Sequence, residues 1–433
     1  GMVIVGLSPW RIEFRDASGR LLTRTKNKDE HKSPAVMSDF AFVRAAADTR
    51  HAIAASFLLS PGEKLFGSGE SFTRLDKRGQ KLHWFSSDPL SVQTEEMYKP
   101  VPFFYSNRGY GMFFHHSCPI TADFGHTADS ANTVYVGDDE LDLFFFFGGP
   151  KEVLSAYTGL TGRAELPPLW SFGLWMSRIT YKSEEEVRGV ASELRERRIP
   201  CDVIHIDTGW FEEEWRCNYE FSKERFPDAA GMIRDLKDDG FRVSLWQYPY
   251  FMPSNEWFDE IEREGLSVRD ADGKPATMDA VLDFSNARAV EWYKARLESL
   301  LKLGVSAIKA DFGESAPVHG LYASGKSGWF EHNLYPLRYN KAVSEVTKTV
   351  TGDSVIWARS AWAGSQRYPL HWGGDSENTD TGMAATLRAG LSLGMCGFSF
   401  WSHDIGGFWH QSPRELYERW LPFGMLTSHS RCH

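Results

Sequence analysis

The sequence predicts an α/β chain in which an antiparallel β-sandwich precedes a (β/α)8 barrel. Three observations carry that expectation. Up to about residue 160, short runs rich in β-branched and aromatic residues are broken by Gly, Pro, Asn and Asp every eight to twelve residues or so, the spacing of a sandwich. From about residue 165, short apolar runs alternate with longer amphipathic ones, the pattern of parallel strands joined by helical crossovers. The second region holds eight strand candidates, which suits a closed barrel better than an open sheet. The expected division is 2–160 for the sandwich and 165–433 for the barrel.

The elements follow in order. Residues 52–59, 110–114 and 141–147 read as sandwich strands, and 151–158 as a helix. In the barrel region the strand candidates are 170–176, 202–207, 242–248, 306–312, 354–360, 370–375, 397–404 and 426–431. Helices are expected at 183–198, 229–239, 256–264, 287–303, 340–350, 384–393 and 413–423. Ser183 followed by Glu186 is a capping box that marks the first of them. The fifth and sixth strand candidates are too close together for a helix between them.

Composition narrows the partners. A chain of 433 residues with 42 % hydrophobic content has ample material for a core and is not disordered. Its net charge of −10, without basic runs, argues against nucleic acid and anionic membranes. The cysteines, five and widely spaced, read as unpaired thiols in a reducing compartment. The apolar patch at residues 2–7 is too short for a signal segment or a membrane span. A soluble, cytoplasmic protein is therefore expected, a homo-oligomer is compatible with this reading, and the partner expected from the residues below is an oligosaccharide or glycoside substrate.

Strand C-termini form the active face of such a barrel. Here they carry Asp207, Trp246, Lys309, Asp311, Arg359, Trp372, Asp375, Trp401, His403 and Asp404. Taken singly, a strand-end Asp usually caps a turn, a strand Lys usually forms a structural ion pair, and a Trp usually fills core. What outweighs these readings is that the same chemistry recurs at six strand ends. Lys309 and Asp311, two residues apart, share one side of the sheet. Paired aspartates among tryptophans, with no phosphate loop or nucleophile elbow, suit glycosidic bond cleavage: one carboxylate attacks the anomeric carbon and the other manages the leaving-group proton. Lys309 and Arg359 would keep Asp311 ionised, and neighbouring negative charge would help Asp375 hold its proton. Two other classes fit these residues less well. A metal-dependent hydrolase could draw on His205, Asp207, His371, Asp375, His403 and Asp404, but Lys309 and Arg359 would place positive charge beside the cation. A non-catalytic sugar-binding module has no use for both Asp311 and Asp375.

These segments resemble glycoside hydrolase family 31, and within it the bacterial α-xylosidase branch. Lys309-Ala310-Asp311-Phe312-Gly313-Glu314 is similar to that branch's nucleophile segment, and Ala358-Arg359-Ser360-Ala361 with His371-Trp372-Gly373-Gly374-Asp375 to its acid/base segment. Further matches are Gly67-Ser68-Gly69-Glu70, Trp170-Ser171-Phe172-Gly173-Leu174-Trp175, the run from Phe400 to Gly407, and Ser428-His429-Ser430-Arg431. The resemblance implies a retaining, exo-acting α-glycosidase with Asp311 as nucleophile, Asp375 as general acid/base, and neither cofactor nor metal. It implies that Asp207, Trp246, Lys309, Arg359, Trp372 and His403 line the sugar subsite, and that Asp88 reaches it from the sandwich. Ile179 takes the place of a phenylalanine that crowds out a hydroxymethyl group. The same family's α-glucosidases and transglucosylases are the alternative. The family continues past the Ser-His-Ser-Arg strand with a last barrel helix and β-domains, so a chain stopping at His433 is expected to be a barrel cut short, without those C-terminal β-domains.

Overall fold

The structure, a computed structural model, describes residues 1–26, 40–44 and 51–433. The N-terminal region is built from antiparallel sheets. One pairs Phe40–Arg44, His51–Leu58, Ala131–Val136, Ile120–Phe124 and Lys81–Trp84. Another pairs Leu143–Phe147, Tyr110–Phe114, Pro100–Ser106 and Leu65–Gly69, and a three-stranded meander opens the chain. Trp84, Phe104, Phe114 and Phe124 fill the space between the two larger sheets, which is where alternating aromatic positions must go. A helix, α1 (Pro150–Thr161), then leads toward the barrel; Pro150 starts it because a first-turn N–H has no helical acceptor, so a proline there loses no hydrogen bond.

The barrel strands, numbered from its start, are β1 (Gly173–Met176), β2 (Val203–Ile206), β3 (Arg242–Gln247), β4 (Ala307–Ala310), β5 (Ile356–Ala358), β6 (His371–Trp372), β7 and β8 (His429–Cys432). β7 is split at His403 into Trp401–Ser402 and Asp404–Ile405. The first piece pairs with β6 and the second with β8, while β8 also pairs with β1, so the parallel ring closes through the two halves of one broken strand. β2 and β4 are buried at every residue, as strands covered on both faces must be.

The outer helices are α2 (Glu184–Glu196), α3 (Ala229–Asp238), α4 (Phe258–Arg263), α5 (Ala287–Lys302), α6 (Gly328–Glu331), α7 (Tyr335–Thr351), α8 (Asp380–Gly394) and α9 (Arg414–Met425). The Ser183 hydroxyl accepts the Glu186 N–H and the Glu186 carboxylate reaches back to the Lys182 N–H, so the predicted cap forms. α7 begins five residues ahead of the expected start, because Pro336 fits a first turn rather than breaking one. α8 also starts earlier, capped by the Thr379 hydroxyl on the Gly382 N–H. The β5–β6 connection carries only a 3-10 turn, Ser365–Arg367, in keeping with the short gap in the sequence. All five cysteines are unpaired. No helix among the described residues is long and apolar enough to cross a membrane.

Inside the ring, Trp175, Trp357 and Trp372 pack with Val203 and Ala307. Arg431 on β8 lies against Trp357 and Trp372, with its guanidinium 4.8 and 5.9 Å from the ring centres. Its Nε is 2.9 Å from Asp404 Oδ1, and both side chains are fully buried. This ion pair spans the β7–β8 seam. Replacing Arg431 by Met would leave Asp404 uncompensated and cost about 3–5 kcal/mol. Burial already lifts the Asp404 carboxyl to about 6 against the pull of Arg431. The loss should therefore grow from pH 5 to pH 8, as the carboxyl ionises, in urea unfolding of the two proteins.

Candidate active site

Asp311 follows β4 and sits at the carboxyl end of the barrel. The Trp246 indole N–H on β3 donates to its Oδ2 at 2.7 Å. Lys309 Nζ is 3.3 Å from the same oxygen and 2.9 Å from Asp207 Oδ2. Arg359 Nε lies 3.3 Å from Asp311 Oδ1. Burial alone would raise the Asp311 carboxyl, but Lys309, Arg359 and the indole outweigh it and hold the group below the ordinary carboxylate range. The turn that follows places Phe312 at a φ of 58° and Gly313 at 103°, and the Tyr250 hydroxyl holds it by accepting the Gly313 N–H at 3.0 Å. A left-handed Phe persists only where its surroundings enforce it.

Arg359, just past β5, gathers the remaining carboxylates. Its Nη1 donates to Asp375 Oδ2 at 3.3 Å and its Nη2 to Asp88 Oδ2 at 3.0 Å, and it pairs closely with Glu314. Asp375 is thus on the same guanidinium as Asp311. Burial lifts the Asp375 carboxyl to about 7 despite Arg359, with Asp311 and Asp88 adding to the rise. Burial outranks negative charge here, whereas the sequence suggested charge alone. Two buried carboxylates on one cation therefore have opposite protonation preferences near neutrality. Asp207 is held by Lys309 and by His205 Nε2 at 2.9 Å. Burial opposes its ionisation, yet Lys309 and His205 keep its carboxyl far below the usual range.

With this geometry the family comparison is decisive. A model of the glycosyl hydrolases family 31 TIM-barrel domain matches residues 164–433, and one of the family 31 N-terminal galactose mutarotase-like domain matches residues 1–123. The chain belongs to glycosyl hydrolase family 31. An α-xylosidase of Emericella nidulans is 40 % identical over 87 % of this chain and 50 % of its own length. Alpha-xylosidase XylQ of Lactiplantibacillus pentosus is 37 % identical over 86 % of this chain and 50 % of its own. A Flavobacterium johnsoniae family 31 dextranase complexed with glucose superposes with a TM-score of 0.88 at 28 % identity, covering 98 % of this chain and 54 % of that one. The chain spans about half the length of the curated relatives it matches.

Most of the residues expected at a family 31 site come together: Asp88, Asp207, Trp246, Lys309, Asp311, Arg359 and Asp375 form one connected network. His403 does not join it. Its Nδ1 accepts the Trp420 indole N–H at 2.9 Å and its ring stacks on Phe423 at 3.9 Å, so it lies between β7 and α9, outside the ring. Trp401 shares that outward face, because residues two apart on a strand point the same way; its indole donates to Glu70 of the N-terminal region at 2.8 Å. Both were expected among the sugar-facing groups, and the phase of β7 corrects this. Trp372 is barrel core, with Lys309 Nζ 4.8 Å above its ring. Ile179 lies on the loop after β1 and is 57 % exposed.

The ligand types weighed for a metal do not converge. His205 is occupied by Ser244 and Asp207, His403 faces α9, and Lys309 and Arg359 fill the space between the carboxylates. Three groups escaped the sequence reading. Glu314 lies three residues past Asp311 and is buried on Arg359. Tyr98 comes from the N-terminal region and lies beneath the Arg359 guanidinium, 5.0 Å from its ring centre. His433 follows β8; burial, then Arg431, keep its imidazole neutral, and Asp207 and Lys309 are within electrostatic reach. Strand alternation from the inward Arg431 would have found it.

Arg359 is the shared cation of this cluster, and replacing it by Met should destabilise the fold at neutral pH by roughly 3–5 kcal/mol. Asp375 and Glu314 already stand near 7 with Arg359 in place and would rise further without it, so above pH 7 the variant's folded state binds more protons than the parent's. The deficit should therefore shrink as pH falls from 9 to 7, read as the difference in melting temperature between variant and parent.

Proposed function

We propose that this chain carries the catalytic centre of a retaining α-glycosidase that releases terminal α-linked xylose from the non-reducing end of a glycoside. The observation that supports it best is the pair Asp311 and Asp375 on one guanidinium, one held ionised and the other raised to about 7. In the first step Asp311 attacks the anomeric carbon and the glycosidic bond breaks; the leaving oxygen takes the Asp375 proton. In the second, Asp375 takes a proton from water, the water oxygen attacks the anomeric carbon, and the Asp311 ester breaks. Two inversions give net retention. Trp246 and Lys309 steady Asp311 for attack, and Asp207, fixed by Lys309 and His205, offers a charged acceptor to a sugar hydroxyl.

The preference for xylose is supported by the two α-xylosidases at 40 and 37 % identity, against 28 % for alpha-glucosidase 2 of Bacillus thermoamyloliquefaciens. Ile179 is the residue we assign to crowding a hydroxymethyl group. An α-glucosidase or α-transglucosylase is the second reading, supported by the 28 % identity of alpha-glucosidase 2, which spans 100 % of this chain.

Asp311→Ala should abolish turnover of an aryl α-xyloside, and azide should restore it with β-xylosyl azide as product; undiminished hydrolysis would remove Asp311 as nucleophile. Asp375→Ala should lose roughly 10²–10⁴-fold on alkyl glycosides and far less on activated aryl glycosides, in single-turnover rates of the first step. The kcat/KM profile of the parent should fall on its alkaline side near pH 7, where Asp375 ionises in the free enzyme. Lys309→Met should shift the acid limb upward, because the cation that lowers the Asp311 carboxyl is gone. The kcat/KM ratio between aryl α-xyloside and aryl α-glucoside decides the sugar, and a ratio below one favours the second reading.

A further inference from the structure

Tyr98 lies just ahead of the N-terminal strand Pro100–Ser106 and is fully buried. Four contacts tie it to the barrel loops that carry Arg359 and Asp375. Its ring faces the Arg359 guanidinium. Its carbonyl accepts the Ala361 N–H at 3.3 Å. Its hydroxyl oxygen accepts the Asp375 N–H at 3.4 Å. Gly374 lies flat on the ring, such that a Cβ there would fall 2.1 Å from Tyr98 Cε2. With a φ of 73°, Gly374 is required twice, for the backbone conformation and for the room.

The ring is also held from behind. Phe72, Val92, Ala385 and Ala389 pack around it. The next residue, Lys99, forms a fully buried ion pair with Glu70, which in turn accepts the Trp401 indole N–H. A turn pressed on a wedge packed this tightly cannot shift unless the wedge shifts too. The nucleophile, by contrast, is steadied by Trp246 and Lys309, both from barrel strands.

We propose that Tyr98 is a positioning residue for the general acid: the N-terminal domain sets where the Asp375 carboxyl stands by pressing on the Gly374 turn. The proposal rests on the reading of Asp375 as proton donor. It gives the N-terminal domain a part in leaving-group protonation, distinct from the contact that Asp88 makes with Arg359. A group that places the acid matters most when the leaving oxygen is basic and least when it is a stable phenolate.

The test measures kcat/KM for methyl α-xyloside and 4-nitrophenyl α-xyloside with the parent chain and with Tyr98→Leu, Tyr98→Phe and Gly374→Ala. Tyr98→Leu and Gly374→Ala should each lose roughly tenfold or more on the methyl glycoside beyond their loss on the nitrophenyl one. Tyr98→Phe keeps the ring against Gly374 and should keep the parent's ratio. Equal losses on both substrates would mean that Tyr98 only supports the fold, and unchanged ratios in both variants would mean that it does not place Asp375; either overturns the proposal. Should Tyr98→Leu fail to fold by its melting curve, Tyr98→Met decides, since its flexible side chain can fill the pocket without a ring face against Gly374 and leaves the turn's own glycine in place. A parent chain that cleaves neither glycoside refutes the glycosidase reading and this proposal with it, whereas an active parent with equal losses refutes only this proposal.

Discussion

Three cations are buried in this barrel, and a charge taken out of water must be neutralised where it stands. Lys309 is met by Asp207 and Asp311, Arg359 by Asp88, Asp311, Glu314 and Asp375, and Arg431 by Asp404. The requirement fixes the carboxylates as firmly as it fixes the cations. It also couples parts of the chain far apart in sequence: Asp88 and Arg359 are 271 residues apart and share a hydrogen bond. Barrel closure and the carboxylate cluster are two outcomes of one electrostatic demand.

That demand accounts for the protonation preferences of the cluster as well as its shape. Burial pushes Asp207, Asp311, Glu314 and Asp375 upward, and proximity to a cation decides which of them are brought back down. Asp311 touches both Lys309 and Arg359 and accepts an indole N–H; Asp375 has Arg359 alone, at 3.3 Å. That difference in contacts, with Asp311 and Asp88 raising Asp375 further, pushes the two groups in opposite directions. Glu314, buried on the same arginine, is raised to about 7 by burial, so the cluster titrates as a set rather than residue by residue. The N-terminal domain contributes one carboxylate, Asp88, and one wedge, Tyr98, so it forms part of the site's wall.

Much of this was legible in the sequence. The order of barrel strands and helices, the Ser183 cap, the Lys309–Asp311 alternation and the strand-end aspartates all follow from local patterns with periods of 2 or 3.6 residues. The segment 397–404 shows where that reading stops. Alternation sends its last two residues, His403 and Asp404, to opposite faces without saying which of them turns inward. In the structure it breaks at His403 to pair with two neighbours, Asp404 turns inward to Arg431, and His403 turns outward to Trp420. Nothing local distinguishes the two phases, because the break is imposed by closing the ring.

Local pattern alone was enough for the fold class and for the candidate carboxylates at the strand ends, because both rest on short-range periodicity and on residue types whose burial is costly unless they are paired. Tertiary structure decided which face each strand end presents, which carboxyl keeps its proton, and that Tyr98 and Glu314 stand in the site. These depend on distances between segments tens to hundreds of residues apart, and on how deeply each charge is buried, neither of which a linear pattern carries.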